Sequence, residues 1–440
     1  MGEGTSRLRI LLLAPFCDPD AVSMPYVAYA HAAALAEIHD VTLVIGAPVE
    51  GNVRRAQGRF NSIEVVRTPS LERIYEWSLR KIFKYNFDTQ MLTAFGYPFF
   101  LAFEWTAWRQ LRGRIFAHEF DVVLRILPVT AVLPSPFAFL LRKGPIPFVI
   151  GPINGGLPWP RGFTQLQNQK EWVSGLRNLY RYLPFSRSTY RDAAAIITAS
   201  SQTYSEFATY SDKLFFVPEN GVSRSMLESN GDSPKAHDHL ELIFVGGLVP
   251  RKACDLALRA AASILRAGAA RFTVVGDGPE RGRLEQLVTT LGIDKAVVFC
   301  GWTSHKEVID RLRTADVLVF PSLRDFGGGV VFEALALGTV PVVVDFGGPG
   351  DIIYPDVGYK VPLTNESDIV GQIEKALAEL ADDRSLLERL QQQAMTYARD
   401  RLTWDAKAQT TTRVLQWVVR QGPKPDLPPP KLLAAGTGSS

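Results

Sequence analysis

Cysteine is scarce in this chain of 440 residues: there are three, Cys17, Cys254 and Cys300, with no CxxC pair and no histidines at metal-ligand spacing. That scarcity speaks against a disulfide framework or a zinc site and fits a reducing compartment. Long apolar runs are missing as well. The best stretch, 126–141, is shorter than the roughly 20 residues a spanning helix needs, and it carries Pro128, Pro134 and Pro136, which break helices. The apolar segment Ile10–Phe16 follows Arg7 and Arg9 but runs straight into Asp18 and Asp20, so it reads as a buried first strand and not as a signal-peptide core. Asp18-Pro19-Asp20 imitates a D-x-D metal motif, although a loop acid pair is the simpler reading, and no metal is expected. Charge of one sign is lacking too. A net charge of +3 gives no pointer to nucleic acid. No G-x-G-x-x-G with a downstream acid follows the first strand, which removes a dinucleotide-binding dehydrogenase.

What is present is ordinary globular composition, with 46% hydrophobic and 21% charged residues and a length that implies more than one core. The pattern opens strand–helix–strand, at 9–16, 25–38 and 41–45. A helical, aromatic-rich stretch at 71–118 follows, then strands at 121–126, 147–150, 194–199 and 214–217. After the polar segment 227–240 the alternation restarts. Strands are expected at 241–245, 271–275, 296–299, 317–320 and 341–344, with helices at 253–267, 279–291, 305–314, 330–337 and 366–380, then 383–400 and 404–420. This is an α/β chain of two tandem, doubly wound Rossmann-like domains facing a cleft. The domains read as 1–226, with a C-terminal helix 404–421 packing back on it, and 241–403, joined by a linker at 227–240. From 422 to 440 the chain turns to Pro, Gly and Ser and is expected to be disordered.

The most informative segment is 320–341, FPSLRDFGGGVVFEALALGTVP. A strand ends at Phe320, and a loop carries Asp325, Phe326, Gly327, Gly328 and Gly329. A helix with Glu333 then begins. Glycines let backbone N–H groups approach an anion or hydroxyl, and the helix N-terminus behind them favours a phosphate. A carboxylate can accept two hydrogen bonds from vicinal hydroxyls. The segment resembles the E-x7-E signature of retaining GT-B glycosyltransferases, family 4 (glycosyl transferases group 1), with Asp325 at the first acid and Glu333 at the second.

Three further segments carry the resemblance. Phe244-Val245-Gly246-Gly247-Leu248-Val249-Pro250-Arg251-Lys252 is similar to the family's G-R-L-x-x-x-K, with Lys252 at the Lys position, Gly247 where an Arg is usual, and Arg251 able to compensate. Gly276-Asp277-Gly278-Pro279 is similar to the G-x-G-P turn, and Gly301-Trp302 to the turn that holds the nucleobase. In the first half, Pro218-Glu219-Asn220-Gly221-Val222 resembles P-N-G-V. The strand ending at 150 leads into Gly151-Pro152-Ile153-Asn154-Gly155-Gly156, where many members carry a histidine. Asn154, Gly155 and Asn220 are expected on the acceptor side of the cleft.

The resemblance implies a glycosyltransferase that moves a sugar, with retention, from a nucleoside-diphosphate sugar to a hydroxyl of a glycan or lipid-linked acceptor, in polysaccharide or glycolipid synthesis. Lys252, Arg251 and the helix N-terminus would hold the diphosphate, Glu333 the ribose, and Asp325 the sugar. Gly247, Gly276, Asp277, Trp302 and Phe326 through Gly329 would line the donor site. Asp325, Lys252 and Glu333 are the expected catalytic set. No cofactor is expected, since the nucleotide sugar is a co-substrate. No lysine segment resembles a pyridoxal phosphate site, which disfavours a phosphorylase. The basic excess of the first half lies among aromatics: Arg80, Lys81, Phe83, Lys84, Tyr85 and Phe87, then Trp105, Trp108, Arg109, Arg112 and Arg114. That pattern suits an anionic membrane surface and a cytoplasmic protein peripheral on the inner face of the membrane. The departures at Gly247, Asp325 and the absent histidine leave one alternative, a non-catalytic protein of this fold that binds a sugar nucleotide or a partner enzyme.

Overall fold

The computed structural model describes residues 7–56, 58–68, 96–155, 163, 182–228 and 238–429. Two compact units emerge. Among the described residues, the first comprises those up to 155, then 182–219 and those from Trp404 onward, and the second comprises Phe163 and Asn220–Thr403. Phe163 is buried in the core of the second unit, beside Leu240 and Phe244. Residues 220–226 and Phe163 therefore do not belong with the first domain, where the sequence reading put them. Composition carries no sign of a chain that changes units.

The first unit holds a seven-stranded sheet in the order β3-β2-β1-β4-β5-β6-β7. Its strands are β1 (Arg9–Leu13), β2 (Asp40–Gly46), β3 (Ser62–Val66), β4 (Val122–Arg125), β5 (Phe148–Ile153), β6 (Ala195–Thr198) and β7 (Leu214–Phe216), and every pairing is parallel. The central strands are buried on both faces, which is why they read as unbroken apolar runs. β3 escaped the sequence reading because SIEVV, at the sheet edge, is mostly half-buried. Helix α1 (Met24–Ile38) and helix α2 (Tyr97–Phe116) cover the sheet. The part of the aromatic-rich helical expectation at 71–95 lies outside the described residues.

The second unit repeats the design with six parallel strands, in the order β10-β9-β8-β11-β12-β13. They are β8 (Leu240–Val245), β9 (Ala270–Val275), β10 (Val297–Gly301), β11 (Val317–Phe320), β12 (Val340–Val344) and β13 (Tyr359–Val361). The longer helices are α3 (Cys254–Arg266), α4 (Arg281–Leu291), α5 (His305–Thr314), α6 (Gly329–Ala336), α7 (Glu366–Asp382) and α8 (Arg384–Arg401). β13 is three residues long and was not expected. In sheet-internal order this is 3-2-1-4-5-6, so the winding reverses between β8 and β11. A crevice for ligands opens at the carboxyl ends of strands at such a reversal.

Helix α9 (Trp404–Val418) packs on α1 in the first unit. Thr411 and Thr412 lie 3.0 and 2.8 Å from His31 Nε2 and His39 Nε2. The expected disordered tail is corrected in part. Residues 422–429 lie against β7, where the Phe216 N–H donates to the Leu427 carbonyl at 2.8 Å. Lys424 sits 5.9 Å from the rings of Phe215 and Trp417. An open sheet edge is an unpaired template, and this Pro-rich segment covers it. Residues 430–440 lie outside the described residues, as do 229–237 of the expected linker. Its ends are structured, with 227–228 in the helix Arg224–Glu228 and Leu240 in β8.

The D-x-D look-alike is engaged locally. Asn52 Nδ2 donates to both carboxylate oxygens of Asp18 at 3.0 Å, and Arg55 pairs with Asp20 at 3.1 Å. Cys17 and Cys254 are buried free thiols whose ionisation burial pushes up. No described helix is long and apolar enough to cross a membrane.

Candidate functional site

Every donor-side residue expected from the sequence except Glu333, which lies within α6, falls at the carboxyl end of one of four adjacent strands in the second unit. Gly247, Arg251 and Lys252 follow β8, Gly276 and Asp277 follow β9, Trp302 follows β10, and Asp325 through Gly329 follow β11. β8 and β11 flank the winding reversal, and their loops are tied together. The Arg251 carbonyl accepts from the Leu323 N–H at 2.9 Å and from the Ser322 hydroxyl at 3.3 Å. Lys252 ends a short turn, Pro250–Lys252, and its ammonium forms an ion pair with Asp325 Oδ2. The pair is largely enclosed, with the two side chains 18% and 15% exposed. The ammonium also lies 4.8 Å from the Phe320 ring centre. The other oxygen of Asp325 accepts from the Gly328 N–H at 3.2 Å. Asp325 thus pins the glycine loop on one side and the lysine on the other. The Arg251 side chain is exposed.

Backbone packing explains the glycines at the strand ends. Gly276 has φ +134°, and a Cβ there would stand 2.0 Å from the Gly246 carbonyl oxygen. Its N–H donates to the Gly301 carbonyl at 2.9 Å, so three strand-end loops meet backbone to backbone. Gly328, at φ +54°, precedes α6, and a Cβ there would lie 2.6 Å from Pro349 Cγ. The carbonyl of Phe326 packs against Gly348, where a Cβ would come within 2.1 Å. Gly247, standing where the resemblance expects an arginine, faces Trp302, whose Cη2 is 3.8 Å from the position a Cβ would take. Trp302 is 73% exposed, so it is not core packing. Asp277 is bonded to the Gly278 N–H at 2.7 Å and to Arg281 at 3.2 Å.

Glu333 lies on the first turns of α6, and its Oε1 is 2.8 Å from His305 Nε2. His305 opens α5 and was missed by the sequence reading, which placed a helix at 305–314 without giving this side chain a role. Nothing local links positions 305 and 333, because the packing of α5 on α6 joins them. The Glu333 carboxylate raises the imidazole above its ordinary range, against burial, which lowers it. Arg324, buried beside Asp325, also went unremarked.

The acceptor-side trio divides between the units. Asn154 and Gly155 follow β5 in the first unit, while Asn220 belongs to the second, its side-chain amide 3.8 Å from where a Gly329 Cβ would stand. Asn154 is 5% exposed and donates from Nδ2 to the Glu219 carboxylate, while its Oδ1 is buried without a hydrogen-bond partner among the described residues. The Gly155 N–H donates to Thr203 Oγ1 at 2.7 Å. Beneath them the fully buried Lys407 ammonium donates to the Glu219 backbone carbonyl. Burial pulls Lys407 down to about 7, with Glu219 opposing. Glu219 stands in the Pro218–Val222 segment quoted above, but no pattern in the sequence points to Lys407.

Comparison with known proteins agrees with this geometry. Residues 227–396 match the family model of glycosyl transferases group 1, so the second unit carries a domain of that family. An uncharacterized glycosyltransferase of Methanocaldococcus jannaschii is 32% identical over 178 residues, covering 40% of this chain and 45% of the relative. The chain spans less than half the length of curated relatives it matches. Among solved structures, the Anabaena protein HepE in complex with UDP aligns with a TM-score of 0.58 at 15% identity, over 93% of this chain and all (100%) of that one. Sucrose-phosphate synthase from Thermosynechococcus elongatus aligns with a TM-score of 0.60 at 16% identity, over 94% of this chain and 100% of that one. At these identities the likeness shows the fold, the GT-B architecture of two tandem Rossmann-like domains, along nearly the whole chain.

Proposed function

With a group 1 glycosyl transferase domain in its second unit, we propose that the chain is a retaining glycosyltransferase that uses a nucleoside-diphosphate sugar. The observation that carries this reading is the convergence of Lys252, Asp325, the glycine loop and Glu333 on the strand ends at the winding reversal of that unit. The UDP present in HepE supports a nucleoside diphosphate as the donor's leaving group. Lys252, helped by Arg251 and the N–H groups that open α6, offsets the charge that grows on the diphosphate as it departs. Glu333 accepts from the ribose hydroxyls, and Asp325 orients the sugar. Gly247 and Trp302 leave an open aromatic surface beside β8 on which a base can lie.

In the reaction the anomeric carbon–phosphate oxygen bond breaks and a bond to the acceptor oxygen forms on the same face. The acceptor proton passes to a diphosphate oxygen, giving the glycoside and a free nucleoside diphosphate. The chain's own contribution is positioning and fixed charge, with no cofactor or metal assigned a step.

The acceptor, a glycan or lipid-linked precursor, is assigned to the first unit. On α2, Trp105 and Phe116 are 43% and 56% exposed, with Arg109 and Arg112 exposed between them. Their spacing of four, three and four residues puts all of them on one helix face. That stripe is suited to an anionic membrane surface, on which the protein would sit peripherally at the cytoplasmic side. Trp108 drops out of the expected patch because it is core, and Arg114 because it bonds Glu64 and Glu119, each at 2.7 Å. Positions 80–87 lie outside the described residues.

The test is a panel of nucleotide sugars, scored by thermal shift and by release of free nucleoside diphosphate. One donor is expected to shift the melting temperature and be hydrolysed slowly, and Glu333→Ala is expected to weaken its binding at least tenfold, the scale of a charge-assisted contact. Absence of a shift with every donor would overturn the reading.

A further inference from the structure

The exposed residue His305 has no place in the reading so far, yet it touches the carboxylate assigned to the ribose. Its side chain is 64% exposed, and that of Glu333 is 21% exposed. The histidine is held on a rigid base. It is the first residue of α5, locked by a capping box in which Ser304 Oγ accepts from the Glu307 N–H at 3.3 Å and the Glu307 carboxylate accepts from the Ser304 N–H at 3.1 Å. The bond to Glu333 uses Oε1 and leaves Oε2 for a ligand.

The other charges of α5 are Lys306 and Arg313, which pair with Asp310, Glu307, which closes the capping box, and Arg311, whose Nε is buried without a hydrogen-bond partner among the described residues. Glu333 is the sole titratable residue of α6. On β8, which also packs on α5, Glu241 is bonded to His239 at 2.7 Å.

Resting on the donor reading above, we infer that His305 is a positioning residue for Glu333, holding its carboxylate for the ribose diol and making donor affinity depend on pH. Two physical effects act together. A hydrogen bond from a fixed ring removes the rotational freedom of the glutamate, so less entropy is lost when the diol binds. A charged imidazole also offsets the repulsion between the Glu333 carboxylate and the anionic diphosphate. The Glu333 contact raises the ring's pKa. The ring is charged below its raised pKa and loses its charge as pH rises through it, so donor affinity is higher on the acid side and falls as pH rises through that pKa. The neutral ring still donates a weaker hydrogen bond, so part of the effect persists at high pH.

The experiment is calorimetric titration of the full-length protein with UDP, GDP and ADP between pH 5.5 and pH 9, continuing with whichever nucleotide binds. Wild-type affinity is expected to fall several-fold across the range. His305→Ala should bind about tenfold more weakly at the acid end, on the scale of a lost charge-assisted bond, with a flat pH profile. His305→Gln, which keeps a neutral donor, should recover part of the affinity and stay flat. With a turning-over donor, the change should appear in KM and not in kcat. In a Glu333→Ala background, His305→Ala should add nothing. If Glu333→Ala weakens binding while His305→Ala matches the wild type at every pH, the inference about His305 is overturned and the donor reading stands. If Glu333→Ala itself binds like the wild type, or none of the three nucleotides binds, the donor reading falls and this inference with it.

Discussion

Lys252 and Asp325, 73 positions apart in the chain, form an ion pair at the carboxyl ends of β8 and β11. The cation proposed for the diphosphate is therefore paired with the acid proposed for the sugar. On the proposed function, a donor would part them, its phosphates taking Lys252 and its sugar hydroxyls taking Asp325. Lys252→Ala should weaken binding of free nucleoside diphosphate by ten- to a hundredfold, about 1.5–3 kcal/mol for a hydrogen bond to a charged group. Asp325→Asn releases the lysine, so it should bind free nucleoside diphosphate at least as tightly as the wild type and turn over sugar nucleotide far more slowly. Calorimetry with nucleotide and with nucleotide sugar separates the two. Equal losses of nucleotide affinity in both variants would contradict this division of labour.

The backbone junction at Gly276 should resist any side chain. Gly276→Ala forces a non-glycine residue to φ +134° with its Cβ at the Gly246 carbonyl, a strain of about 1–3 kcal/mol before the clash is counted. Thermal unfolding should show a clear drop and donor binding should weaken with it. Gly282→Ala is the control. A Cβ there meets nothing within 4 Å and sits in a helix, where alanine is favoured by about 1 kcal/mol, so no loss is expected.

Lys407 makes the stability of the first unit depend on pH. Its pKa, about 7 in the fold, lies below that of a free lysine. Between the two values the unfolded chain binds the extra proton, so stability rises with pH from about 7 toward 10, at no more than about 1.4 kcal/mol per pH unit from one group. Denaturant unfolding over that range should show a steeper rise for the wild type than for Lys407→Met. Parallel curves would mean that the lysine keeps its charge in the fold.

The α2 stripe should act at a lipid surface. Binding to vesicles containing phosphatidylserine should exceed binding to neutral vesicles, and should fall with salt as exposed charges are screened. Trp105→Ala with Arg109→Ala and Arg112→Ala should abolish the difference while leaving nucleotide binding intact. Indifference of the wild type to lipid charge would point to a soluble acceptor.

Much of the candidate donor site was legible because its elements are local. Asp325, the three glycines and Glu333 lie on one strand–turn–helix, and their spacing is set by backbone geometry that a short sequence expresses directly. The apolar runs of β1, β4, β8, β11 and β12 were legible for a similar reason, since strands buried on both faces leave no alternation to obscure them. Edge strands such as β3, half in solvent, were not.

The amino-acid sequence by itself determined two α/β units, the loops that end their strands, and the residues those loops carry. Tertiary structure decided which of those residues meet. Strand order, which no periodicity records, puts β8 beside β11 and so Lys252 against Asp325. Packing of α5 on α6 brings His305 to Glu333, and the return of α9 to α1 buries Lys407 beneath Glu219. The open edge of β7, invisible in a Pro-rich tail, gave residues 422–429 a surface to lie on. Short-range steric rules fix what each segment becomes, whereas burial and charge pairing between distant segments exist only once the sheets are wound.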